Sequence, residues 1–189
     1  VLAAIPRPNQ AFWTLCALWS GWLWGRETVG PFKSVLRRRR YDWAWHYTAL
    51  LAAFENLASI LEMGTPALGL SGEAESGLLT AASMAAGGAH FRLSSLALRG
   101  EQAQFVWRKG QEDNLKTLYE TTQAVTGAIR EFLVAYGQPA SYLNVWAAGL
   151  EGLTKNRPQW DQVENTPPAS PQREFNEYQN ILREVLTYR

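Results

Sequence analysis

Between residues 43 and 109 the spacing of the apolar residues switches back and forth between helical and extended periods, and this succession limits the possible folds more than any other feature of the chain. Trp43, Tyr47, Leu50, Leu51, Phe54, Leu57 and Leu61 keep a three-to-four spacing, which predicts a helix over 43–62 with Asp42 as its N-cap. The stretch "TPALGLSGE" reads as a short buried strand closed by a glycine turn, and "AESGLLTAASMAAGGAH" as a small-residue helix ending at Gly87–Gly88. "FRLSSLALR" alternates as a strand, "GE" turns, and "QAQFVWRK" returns as its hairpin partner. Helix, strand, helix, strand, hairpin, strand predicts an α/β fold. A helix joins a parallel pair, and the closing hairpin adds one antiparallel strand to the sheet.

The flanks fit around this frame. "VLAAIPRPNQ" reads as the end of a short apolar strand running into a proline turn. Phe12, Leu15, Trp19, Trp22 and Leu23 then fall near helical spacing, with Gly25 as the stop. Past Gln111 the pattern is helical throughout, with predicted helices over about 112–136, 140–154 and 172–188 and a proline-rich connector before the last. The organisation expected is an α/β part, 1–110, with a basic loop over 26–40, and a helical extension, 111–189.

The 189 residues suit one domain, or one with an appendage. A single cysteine, Cys16, excludes an internal disulfide and a cysteine zinc site, and two histidines make a histidine metal site unexpected. This usage fits a cytosolic protein. The most apolar stretch, residues 11–25, is shorter than the roughly 20 residues a bilayer span needs, so no membrane partner is expected. The chain opens on Val1 rather than methionine, as a processed or truncated start would. Net charge is +1, but residues 1–110 carry +4 and residues 111–189 carry −3. Any anionic partner should therefore meet the first half.

The basic excess peaks in "RRRRYDWAWH", residues 37–46. Lys33, Arg37, Arg38, Arg39 and Arg40 could neutralise phosphates, and Trp45 could stack on an exposed base. The alternative is a solvated basic turn before an ordinary helix, with Trp43 and Tyr47 in the core. Arginines at a helix N-terminus oppose the macrodipole, which argues for a role other than helix stability. Asp42 and His46, four apart, read as a helix-surface pair. Glu73 and Glu75 follow a strand at the sheet edge where α/β ligands bind, or are solvated loop residues. "FLVAYGQPASYLNVW" could be a helix-turn-helix, but with only Tyr142 and Asn144 as polar readers it reads better as an antiparallel helical hairpin.

Several stretches together resemble the C-terminal half of large adenine-specific DNA methylases. They are "IPRPNQAFWTLCALWSGWLWG", "PFKSVLRRRRYDWAWHYTAL", "GEAESGLLTAASMAAGGAHFRLSSLALR", "AQFVWR" and, further on, "AIREFLVAYGQPASYLNVWAAGLEGL". The resemblance implies part of a Rossmann-like class I S-adenosylmethionine-dependent methyltransferase sheet, DNA as partner, and a homo-oligomer or a partner chain to complete the sheet. It also implies an active-site pocket whose rim would hold Arg7, Asn9, Phe12, Glu73 and Glu75, unless "IPRPNQAFW" is only a rigid proline turn. The family's (D/N)PP(Y/F) motif would fall on Ala4, Ile5, Pro6 and Arg7. Ala4 cannot accept a hydrogen bond from a target amino group, and Arg7 cannot stack as an aromatic ring does. No acid occurs in residues 1–26. Neither "GGAHF" nor "LSGEAESG" has the spacing or strand-to-helix context of a cofactor loop. This chain alone is therefore expected to hold no cofactor and perform no methyl transfer; S-adenosylmethionine belongs to a completed protein.

Overall fold

The computed structural model describes residues 1–5, 10–30, 42–110, 115–159 and 170–187, with side chains from Thr14 onward in the first helix. One compact unit comprises Val1–Ile5 and Trp43–Arg189, and Pro6–Asp42 forms a second.

In the larger unit a four-stranded mixed sheet is built from β1 (Leu2–Ile5), β2 (Pro66–Ser71), β3 (Phe91–Arg99) and β4 (Gln102–Lys109), in the order β1-β2-β4-β3. The fold is therefore α/β, as the alternating periods required. The pair that hydrogen-bonds in parallel is β1–β2, whereas the two strands joined by a helix, β2 and β3, are not neighbours. They run the same way with β4 antiparallel between them, because the hairpin turn at Gly100 (φ +58°) sends β4 back along β2.

Register sorts the sheet into two faces. Ile5, Ala67, Gly69, Ala103, Phe105, Trp107, Phe91 and Leu93 share one face and are buried. One extra residue in β3, between Leu93 and Ser95, restores the parity, so Leu96 and Leu98 stay on that same face opposite Phe105 and Ala103. Helices cover it. The first of these, α2 (Trp43–Ile60), sends Phe54 against Phe91 and Trp107, with ring centres 5.5 and 5.2 Å apart. The Lys109 ammonium donates to the carbonyls of Ala58 and Leu61 at its C-terminal end, where the dipole favours a cation. The small-residue helix α3 (Ser76–Gly88) is buried along nearly its whole length.

The expected helical extension shares this core. Its helices are α4 (Leu118–Tyr136), α5 (Tyr142–Lys155) and α6 (Pro171–Thr187). α4 begins six residues later than the apolar pattern predicted, because Thr117 and Glu120 form a capping box that fixes the start: the Thr117 hydroxyl accepts from the Glu120 N–H, and the Glu120 carboxylate accepts from the Thr117 N–H at 2.9 Å. Gly137 in the left-handed region closes α4 and the Ser141 side chain caps α5. At their crossing an added Cβ on Gly152 would lie 2.9 Å from the Ala124 carbonyl oxygen, so only glycine allows this approach.

In the smaller unit α1 (Gln10–Trp24) is followed by a 3-10 turn, Arg26–Val29. The Thr28 hydroxyl donates to the carbonyls of Ser20 and Gly25, which folds the turn back on the helix. Leu15, Leu18, Trp19, Trp22, Leu23 and Trp24 of α1 are exposed.

A Cβ added to Gly69 would meet the Trp107 ring at 2.4 Å and Ile5 Cδ1 at 3.2 Å. Gly69→Ala should therefore cost about 1–3 kcal/mol through overpacking, read as a lower midpoint in urea unfolding. An unchanged midpoint would contradict this packing.

Candidate functional site

The residues singled out from sequence fall at two places, and the structure adds a third. Lys33 and Arg37–Arg40 lie outside the described residues, as do Pro6, Arg7 and Asn9 and the side chain of Phe12. Trp45 is described, just past the arginine run in the first turn of α2; it is half-buried, with its ring edge-on to His46 at 5.2 Å. His46 corrects the expectation of a place at the helix surface. It is buried between the rings of Trp43 and Trp45. α2 packs against both α3 and α6, which widens its buried arc beyond the stripe marked by the apolar spacing.

The second place is the C-terminal edge of the two parallel strands. Ala4 pairs with Leu70 and Ile5 with Ser71. Ile5 points into the core, while Ala4 is exposed on the opposite face. From Ser71 the chain turns directly into α3. The Ser71 hydroxyl donates to the Glu73 carbonyl at 2.8 Å and accepts from the Glu73 N–H, closing a tight turn that leaves Glu73 and Glu75 half-buried beside the helix start. "LSGEAESG" therefore does have the strand-to-helix context that the sequence reading denied it. Gly77 serves packing instead: a Cβ there would run into the Trp43 indole at 2.2 Å. Two carboxylates at this turn oppose an anionic ligand. Ala4 and Ile5 bring no polar side chain to this edge, and the Ser71 hydroxyl is already bonded within its own turn.

The third place was not anticipated. A groove of about 620 Å³ opens between α4, α5 and β3, lined by Leu96, Leu98, Phe132, Asn144, Glu151 and Lys155 among others. Glu131 and Glu151 make its rim acidic, and Lys155 is already paired with Glu151 at 2.7 Å, so the groove disfavours a polyanion. The two helices beside it form a closely packed hairpin, in line with the poor phosphate-binding character of Tyr142 and Asn144.

Strongly displaced titration occurs elsewhere, in a cluster tying α6 to α2 and α3. The Tyr178 O–H donates to Glu174 Oε1 at 2.5 Å, Arg157 Nη1 donates to the Gly87 carbonyl at 3.0 Å, and Arg157 Nη2 lies 3.6 Å from Glu174. Burial pushes the Tyr178 phenol up to about 12, against the opposing pull of the Arg157 charge. Burial, reinforced by Tyr178 and Glu174, raises Tyr47 as well. Such displaced groups often mark active sites. Here Tyr47 and Tyr178 pack edge-on with ring centres 6.1 Å apart, fully buried in the core, and the cluster is structural.

No family model, curated protein or solved structure matches the chain. Among the described residues no group of three or more metal-ligating side chains comes together, and no helix is long and apolar enough to cross a membrane.

Because the Tyr178 phenol ionises later in the folded chain than the ordinary value near 10, its contribution to stability is complete below pH 10 and is lost as pH rises towards 12. Urea midpoints between pH 9 and 12 should therefore fall steadily, and Tyr178→Phe should flatten the fall. A midpoint indifferent to pH in this window would contradict the buried phenols.

Proposed function

We propose that this chain is the C-terminal portion of an adenine-specific DNA methyltransferase-like protein, and that it contributes DNA contact rather than methyl transfer. The strand order carries this reading. In the class I methyltransferase sheet a closing hairpin inserts an antiparallel strand among the last strands, and here β4 is inserted between β2 and β3 in that manner. The succession from β1 through helix to β2, then α3, β3 and β4, follows the second half of such a sheet. β1 stands at the edge with no neighbour beyond it among the described residues, where the first half of a sheet would continue. In the completed assembly that half would bring the cofactor loop, supplied by an upstream segment or a partner chain.

A second reading keeps the fold and drops the chemistry: a nucleic-acid-binding or protein-interaction module. It is favoured by Ala4, which sits where the family's motif needs an acid or amide. The exposed leucines and tryptophans of α1 favour an oligomer or partner in either reading, since large apolar patches are rare on isolated monomers.

Fluorescence anisotropy with a short labelled DNA duplex across a salt series tests the proposal. The expected result is binding with a steep salt slope that falls by about three to four when Arg37–Arg40 become alanine, at about 0.9 per phosphate contact. Parallel titration with S-adenosylmethionine should give no saturable binding. Absence of DNA binding would overturn the proposal, and saturable cofactor binding would overturn its division of labour.

A further inference from the structure

The second face of the sheet has no helix layer described on it, and its two halves differ in chemistry. Leu2, Ala4, Leu68 and Leu70 make the half over β1 and β2 apolar, with Leu68 37% and Leu70 39% exposed. The half over β4 and β3 carries Arg108, Arg92 and Arg99, with Ser95 and Gln104 between them and no acid on that face. Arg92 and Arg108 are direct cross-strand partners, and both are exposed. Like charges directly opposite one another destabilise a strand pair, so folding alone does not account for this placement. None of the three arginines is in an ion pair with a described residue.

We propose that the open face of the β3–β4 hairpin is a phosphate-binding surface for nucleic acid, formed by other residues than the arginine run at 37–40. The arginines are spread along the strip rather than gathered at one point. From Arg92 to Arg99, opposite Arg108 and Gln102 on the bulge-free β4, they span about 20 Å at roughly 3.4 Å per β4 residue, a stretch that passes several phosphates of one DNA strand. Planar guanidinium groups suit phosphate oxygens bidentately. The strip offers no aromatic ring for base stacking, so the contact is to the backbone and indifferent to sequence. An acidic protein helix fits less well, because only Val106 and Ala97 lie among these arginines to seat its apolar side. The inference deepens the DNA-contact reading and rests on it.

The test is the salt slope of duplex DNA binding for the full chain, the Arg37–Arg40 alanine variant, an Arg92→Gln/Arg108→Gln variant, and Arg108→Glu. The glutamine pair should lower the slope by about two. Arg108→Glu should lower it similarly, since the new carboxylate pairs with Arg92, and should leave the melting temperature unchanged or raised, which separates lost binding from lost folding. A slope that falls only in the 37–40 variant overturns the hairpin surface and leaves the DNA reading intact. A slope that falls only in the hairpin variants upholds the surface and removes the arginine run. No binding by the full chain overturns both. Aggregation of the hairpin variants with an unmoved slope would assign the arginines to protection of the β3 edge, and overturn the proposal. Capture of poly-glutamate in preference to DNA, lost in the same variants, would assign the face to an acidic protein and likewise overturn it.

Discussion

Trp107 can reach across to β2 only because residue 69 has no side chain. The rest of the sheet is arranged around that contact. Phe105 stacks on Trp107 with ring centres 4.9 Å apart and planes within 8°, and Phe54 of α2 meets it edge-on. The indole N–H is buried without an acceptor among the described residues, an arrangement that normally costs about 1–3 kcal/mol. It is tolerated because the ring fills the junction of β2, β4 and α2. This junction fixes β4 beside β2, and β4 in turn keeps β2 and β3 apart.

Once β4 is placed, the two faces follow. The extra residue near Ser94 keeps every large apolar side chain of β3 on the helical side, where α3 and α5 lie against the strand. The same register places Arg92, Ser95, Ala97 and Arg99 on the other side. Trp146, whose indole donates to the Thr80 hydroxyl at 3.1 Å, and Arg157, which donates to Gly87, bind the helical extension onto α3. One face is thereby closed by helices packed around a single core, while the other presents leucines on one half and arginines on the other.

Much of this was legible in the sequence because spacing alone determines it. The three-to-four pattern from Trp43 to Leu61 and the alternation in "QAQFVWRK" gave α2 and β4 directly. The neighbour of β2 was not legible, since strand order depends on how Gly69 receives Trp107, a contact 38 positions apart. The bulge in β3 was hidden for the same reason: "FRLSSLALR" reads as regular alternation unless its partner is known. His46 looked like a surface residue because one helix face was inferred where two neighbours bury a wider arc. The arginine run was conspicuous as a block of like charge, whereas Arg92 and Arg108 lie far apart in sequence and become a pair only through strand register. The groove beside α4 and α5 gave no signal, as its lining comes from three elements and consists largely of small residues.

Hydrogen–deuterium exchange of the chain, alone and with a duplex DNA, tests the central claim most directly: that nucleic acid meets this protein on its basic loop and open sheet face. The account predicts slower exchange in peptides covering residues 33–45 and 91–109 when DNA is present, with α4, α5 and α6 unchanged. Slowing confined to the α4–α5 groove, or none anywhere at DNA concentrations that saturate the basic surface, would contradict it.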